Sequence, residues 1–276
     1  MTTARNLLGA LAGLAALVSL AGAARADERD IRLEDNAASL SLGMSDLDYK
    51  ETGGAAVLDS EKGWMPLLHM EAGLLANPNA KPLLRNLYLH VSADATLGDT
   101  KYDGALCDQF GTCTPAQDHT HDRIYGLSMQ AGRGFSLGGQ AMAIPYADLG
   151  ARYWQRALQG PGGYTEDYHH YDAMAGLKLQ YSPVPRLVAS LSGAMGRTFG
   201  AAMDTWGETF TLGDAMTWQS SARLGYRLSP HVELQGTAQY LHFRYGASGV
   251  DSAGYYEPNS TTQQLNLLVG LSYQFF

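Results

Sequence analysis

The sequence predicts an all-β protein: an antiparallel, up-and-down, transmembrane β-barrel of about ten strands. Three observations predict it. Apolar and polar residues alternate in one run after another from residue 38 onward. The connections between these runs alternate short, long, short, long. Aromatic residues recur at both ends of the apolar faces, as Tyr171 and Tyr181, Tyr125 and Phe135, and Trp218 and Tyr226. Ten residues of a strand tilted by about 40° rise roughly 25 Å, the height of the apolar band between two aromatic girdles.

The chain has 276 residues, of which 45% are hydrophobic and only 17% charged, with 32 Gly and 16 Tyr. Its first 26 residues read as a secretory signal. Arg5 supplies the positive start, Leu7 to Ala21 the apolar run, and Ala24-Arg25-Ala26 the cleavage site. Removing Arg5 and Arg25 with it leaves 17 basic against 27 acidic residues, a net charge of −10. The organisation expected is therefore a signal peptide over 1–26, a lead-in over 27–37 and a barrel over 38–276. No later apolar stretch has the length of a membrane-spanning helix. An acidic chain without a basic block excludes nucleic acid as the expected partner.

The ten strands are expected near 38–49, 63–76, 84–100, 122–136, 139–156, 169–182, 186–199, 216–228, 231–245 and 262–275. Their faces are readable. Tyr171, Ala173, Ala175, Leu177, Leu179 and Tyr181 share one face of the sixth strand, opposite Asp172, Met174, Gly176, Lys178 and Gln180. The short links fall at 77–81, 136–138, 182–185 and 229–230. The long ones fall at 50–62, 101–121, 157–168, 200–215 and 246–261. An even strand number places both termini on the short-turn side, which in such barrels is periplasmic. A soluble sandwich has no reason to alternate its connections in this way.

The last strand, Leu265-x-Leu267-x-Val269-x-Leu271-x-Tyr273-x-Phe275-Phe276, carries a resemblance. It is similar to the closing strand of Gram-negative outer-membrane barrels, whose terminal aromatic is read by the assembly machinery. The chain resembles small barrels of the OmpA-like and opacity-protein-like kind. Those commonly have eight strands, where ten are counted here. The resemblance implies an outer-membrane location, with membrane lipid and lipopolysaccharide as surroundings. It also implies the barrel assembly machinery and periplasmic chaperones as partners in transit. Tyr273, Phe275 and Phe276 would be the assembly signal.

Polar-face positions outline a lumen: His69, Glu71, His90, Asp94, Asp148, Arg152, Arg156, Asp172, Lys178, Arg223, Arg227 and Glu233. Acids and bases confined there should pair, which favours a plugged interior over a channel. Cys107 and Cys113 are expected to form a small disulfide loop in an oxidising compartment. Asp118-His119-Thr120-His121-Asp122 matches no closed zinc spacing, and neither a metal nor a cofactor is expected. Asp167-x-His169 resembles one half of the omptin protease pairs, with Asp46-x-Asp48 a loose match to the other, but the surrounding motifs are absent.

Three functions follow. The first is a non-enzymatic barrel with a structural or surface-interaction role. The second is a narrow porin whose Arg152, Arg156, Arg223 and Arg227 would favour anions. The third is an omptin-like or lipid-modifying rim enzyme using Asp167 and His169.

Overall fold

A computed structural model describes residues 28–54, 56–107, 113–251 and 254–275. The segment expected to be a signal peptide and Phe276 lie outside the described residues, as do the side chains of Cys107 and Cys113 on which the expected disulfide falls.

One short helix, α1 (Glu28–Asp35), precedes the strands. These are β1 (Ala37–Gly53), β2 (Ala56–Leu75), β3 (Leu87–Cys107), β4 (Cys113–Arg133), β5 (Phe135–Ser136), β6 (Ala141–Leu158), β7 (Thr165–Val184), β8 (Leu187–Thr205), β9 (Glu208–Thr211), β10 (Met216–Arg227), β11 (Val232–Tyr245) and β12 (Asn259–Gln274). Ten of them form the wall. β1 pairs with β12, the long strands follow in sequence order, and β10 pairs with β8, which closes the cylinder. β5 and β9 are short hairpin arms beside β6 and β8. A closed wall leaves no open sheet edge, so every strand has its ladder on both sides.

The alternation fixes which side chains face out. Leu42, Met129, Leu149, Met195 and Val269 all point away from the barrel and stay more than half exposed. An uninterrupted belt of that kind requires lipid, since exposed apolar patches of this extent do not persist in water. The belt ends in two aromatic rings. Trp64, Tyr125, Tyr153, Tyr171, Phe199 and Trp218 stand at the long-loop end. Phe135, Tyr181, Tyr226, Tyr273 and Phe275 stand at the other. Tyr125 stacks on its cross-strand partner Tyr153 at 6.3 Å, and Tyr171 on Phe199 at 5.8 Å.

Three expectations need correction. The links read as long loops over 50–62 and 101–121 are mostly strand. The β1–β2 ladder runs to Gly53 and Ala56, and the β3–β4 ladder runs to Cys107 and Cys113. Beyond the upper aromatic ring both faces meet polar surroundings, so pairing continues while the apolar-polar signal fades. At the other end the turn after β2 is longer than expected, because β3 begins at Leu87 rather than near 84. The lead-in over 27–37 is also more than a tether. Its helix enters the lumen, where Ile31 is fully buried.

Candidate functional site: the occluded lumen

The interior is layered. At the short-turn end, α1 closes the barrel. Its first turn carries Glu28 and Asp30, which suits the positive end of the helix dipole, and Glu28 pairs with Arg32 one turn on. Ile31 packs into a layer with Leu75, Tyr88, Met142, Ile144, Tyr146 and Val188. The helix acids are each met from the wall. Asp30 accepts from Arg227 at 2.5 Å and from the backbone of Arg186. Asp35 pairs with Lys178 at 2.6 Å, and Glu34 accepts from Ser190 at 2.8 Å. Asn36 ends the helix, its amide bridging to the backbone of Leu75.

At the long-loop end a second layer gathers Leu47, Tyr49, Met65, Ile124, Trp154, Tyr168, Phe243 and Tyr245. Above it, Arg156 is buried as the centre of a carboxylate cluster. It donates to Glu166 at 2.6 Å, Glu61 at 2.8 Å and Glu51 at 3.2 Å, with its guanidinium 4.2 Å over the Tyr49 ring. Tyr168 donates to Glu257 at 2.6 Å, and Asp122 accepts from Thr100 and Trp154. Asp59 lies opposite Glu51 and is also buried. Six buried acids thus surround one guanidinium: Glu51, Glu61 and Glu166 bond it directly, and Asp59, Asp122 and Glu257 are buried without a bond to it. Glu257, in the loop before β12, is pushed up to about 9 by burial and by the carboxylates of Glu51 and Glu166. Asp59, five residues past the aromatic ring residue Trp64, is pushed up to about 8 by burial and by Glu51.

Between the two layers lies a polar chamber of about 150 Å³. In it His69 shares a 2.6 Å hydrogen bond with Asp94. Glu71 takes Arg223 at 2.6 Å and His90 at 3.2 Å. Asp148 accepts from Ser128, Gln130 and Gln219.

The structure therefore places Asp94, Asp148, Arg152, Arg156, Lys178, Arg223, Arg227 and Glu233 all on the inner face. It does not gather them at one point. They divide among the helix plug, the chamber and the Arg156 cluster. Several partners were not legible. Asp30 and Asp35 lay in the presumed lead-in, and Glu51 and Glu61 in a presumed loop. The continued alternation of Leu47, Tyr49 and Glu51 was the signal for the last pair.

Asp167 and His169 do not form a dyad. Both face outward above the aromatic ring. Asp167 is held by Tyr153 and Gln155, and His169 stands 3.8 Å from Asp204. In the 118–122 segment, alternation turns His119 and His121 out while Thr120 and Asp122 point in. Tyr273 and Phe275 stand on the lipid face of the closing strand's end.

No family model matches the sequence, and no curated protein matches it. Solved structures do resemble the fold. The β-domain of the Bordetella autotransporter BrkA is 11% identical, with 87% of this chain and 100% of that chain covered at a TM-score of 0.40. The translocator domain of the autotransporter NalP from Neisseria meningitidis is 10% identical, with 99% and 100% covered at 0.39. Neisserial surface protein A is 12% identical, with 86% and 97% covered at 0.34. Likeness at this level transfers neither ligand nor activity. The molecule's own construction defines its class. A closed ten-stranded wall, an apolar belt between two aromatic rings and a charged, hydrogen-bonded core make it an integral β-barrel of the outer-membrane type.

Proposed function

We propose that this is a non-enzymatic outer-membrane barrel that is closed at rest and acts as a scaffold for its long loops. The short-turn end, with both termini, faces the periplasm, and the long-loop end faces the exterior. The role is structural support or surface interaction. Lipopolysaccharide surrounds the upper belt, and periplasmic chaperones and the assembly machinery handle the chain in transit.

The observation that carries this reading is obstruction of the lumen at two levels, by α1 and by the aromatic layer beneath Arg156. The narrow-porin reading draws support from the chamber between them, but both obstructions would have to move. Single-channel recording of the refolded mature barrel in a planar bilayer tests the proposal. Silence from correctly folded protein is expected, and reproducible current steps would overturn it. Deleting residues 27–36 should leave the barrel silent as well, because the upper obstruction is independent of the helix.

A further inference from the structure

The lumen cations differ in how they are neutralised. Arg156 meets three carboxylates, Lys178 meets Asp35, Arg223 meets Glu71 and Arg227 meets Asp30, each within 3.2 Å. Arg152 is the exception: among the described residues it makes no ion pair. It reaches across the barrel to donate to Gln264 at 2.8 Å, with its guanidinium 5.4 Å from the Phe243 ring. Arg152 lines the polar chamber.

The chamber's acids show the same asymmetry. Glu71, Asp94 and Asp148 are engaged as described above. Asp172 is not. Its Oδ1 is buried without a hydrogen-bond partner, and its Oδ2 lies a long 3.9 Å from His170. His170 bonds the Tyr245 hydroxyl through Nδ1 at 2.6 Å, and its Nε2, which faces Asp172, is too far for a hydrogen bond. The ladder sets Gly150 opposite Asp172 and Arg152 opposite His170. Arg152 and Asp172 are therefore inward-facing diagonal neighbours on β6 and β7, roughly 7–8 Å apart at the backbone. Gly150 leaves the space that the Asp172 carboxylate occupies, since a Cβ there would stand 2.4 Å from its Oδ2. The two charges act on each other across the polar chamber but make no direct ion pair, and confined charges bridged so loosely are costly.

We propose that the mid-barrel chamber is a binding site for a small zwitterion, an α-amino acid or a solute of that kind, whose carboxylate docks on Arg152 and whose ammonium docks on Asp172. The guanidinium fork suits a carboxylate, and the free Asp172 oxygen suits an ammonium donor. A chamber of about 150 Å³ has room for about five waters, which matches a small amino acid and excludes a peptide or a glycan. Asn266 lines the same chamber, and its Oδ1 is likewise without a partner.

The test uses the mature barrel refolded in detergent in the presence of radiolabelled glycine, so that entry past the two obstructions is not a variable. Retained label is then measured by equilibrium dialysis, with acetate and methylammonium as single-charge probes. Millimolar or tighter glycine binding is expected, at least ten-fold weakened in R152M and in D172N. Each single-charge probe should bind at least ten-fold more weakly than glycine. Folding of each variant is checked by heat-modifiability on gels. If R152M does not fold, D172N and the comparison of probes on the unaltered barrel still decide. Acetate binding equal to that of glycine, glycine retention unchanged in folded D172N, or no glycine binding at all would each overturn the proposal.

Discussion

The two ends of the lumen are closed by opposite electrostatic designs. At the short-turn end the chain brings in a separate element, and its acids are distributed: Asp30 to Arg227, Asp35 to Lys178, Glu34 to Ser190. At the long-loop end the wall closes on itself, and six buried acids lie around the single guanidinium of Arg156, three of them bonded to it. In the lower plug Asp30 and Asp35 each meet one cation and Glu34 only a hydroxyl, so it stands closer to charge balance than the upper cluster. The upper cluster is in balance only if some of its carboxyls keep their protons. Enclosure alone therefore does not define a plug. The ratio of charges inside it decides what conditions keep it shut.

The largest test of this contrast is Arg156→Ala. Breaking a buried ion pair by removing one partner costs about 3–5 kcal/mol, and here the removed partner serves three acids at once. The variant should lose most of its heat-modifiable folded band, or melt far below the unaltered barrel. A melting point within a few degrees of the original would show that the cluster is carried by its aromatics rather than by Arg156.

Next comes Ile31→Ala in the lower plug. Truncating a buried Ile costs about 2–5 kcal/mol, and the loss should appear as protease sensitivity near the N-terminus while the wall stays intact. If the wall melted together with the plug, the two ends could not be treated as separate.

A pH titration sharpens the comparison further. Glu257 has its ordinary carboxyl value of 4.5 when the cluster is open and about 9 when it is closed. The closed form therefore holds a proton that the open form gives up. Closure is strongest at low pH and weakens as pH climbs from 4.5 towards 9. Asp59, at about 8 when closed, shifts in the same sense. Fluorescence of Trp154, buried at the cluster and bonded to Asp122, should report loosening on the alkaline side. Glu257→Gln should shrink that response, and Ile31→Ala should leave it unchanged. A flat titration would remove the charge-imbalance account.

The smallest effect belongs to the outer wall. Lys62 pairs with Asp48 at 3.3 Å on an exposed face, and Lys62→Ala should cost under about 1 kcal/mol in a denaturant titration.

Much of the fold was legible because a membrane barrel writes its geometry into the period of its strands. The alternation through Tyr171 to Tyr181, and the spacing of Tyr125 and Phe135, mark the wall and the height of the belt without knowledge of any contact. The inner-face positions of Arg152, Arg223 and Glu233 followed from the same period. What failed to show was any feature that depends on charge inside the barrel or on pairing beyond the lipid. Glu51 and Glu61 sit in strand extensions where neither face needs to be apolar, so they read as loop. Asp30 and Asp35 precede the first strand in a segment too short to signal a helix by periodicity.

By itself, then, the sequence determined the class of fold, the strand number and the two faces of each strand, because lipid outside and a polar core inside impose a two-residue period that no packing detail can disturb. Only the tertiary structure decided who neutralises whom. That α1 folds back into the lumen, that Arg156 is bonded by three acids with three more buried around it, and that Arg152 and Asp172 make no direct ion pair depend on distances across the barrel between strands remote in sequence. Those distances are set by closure of the wall and leave no local pattern in the chain.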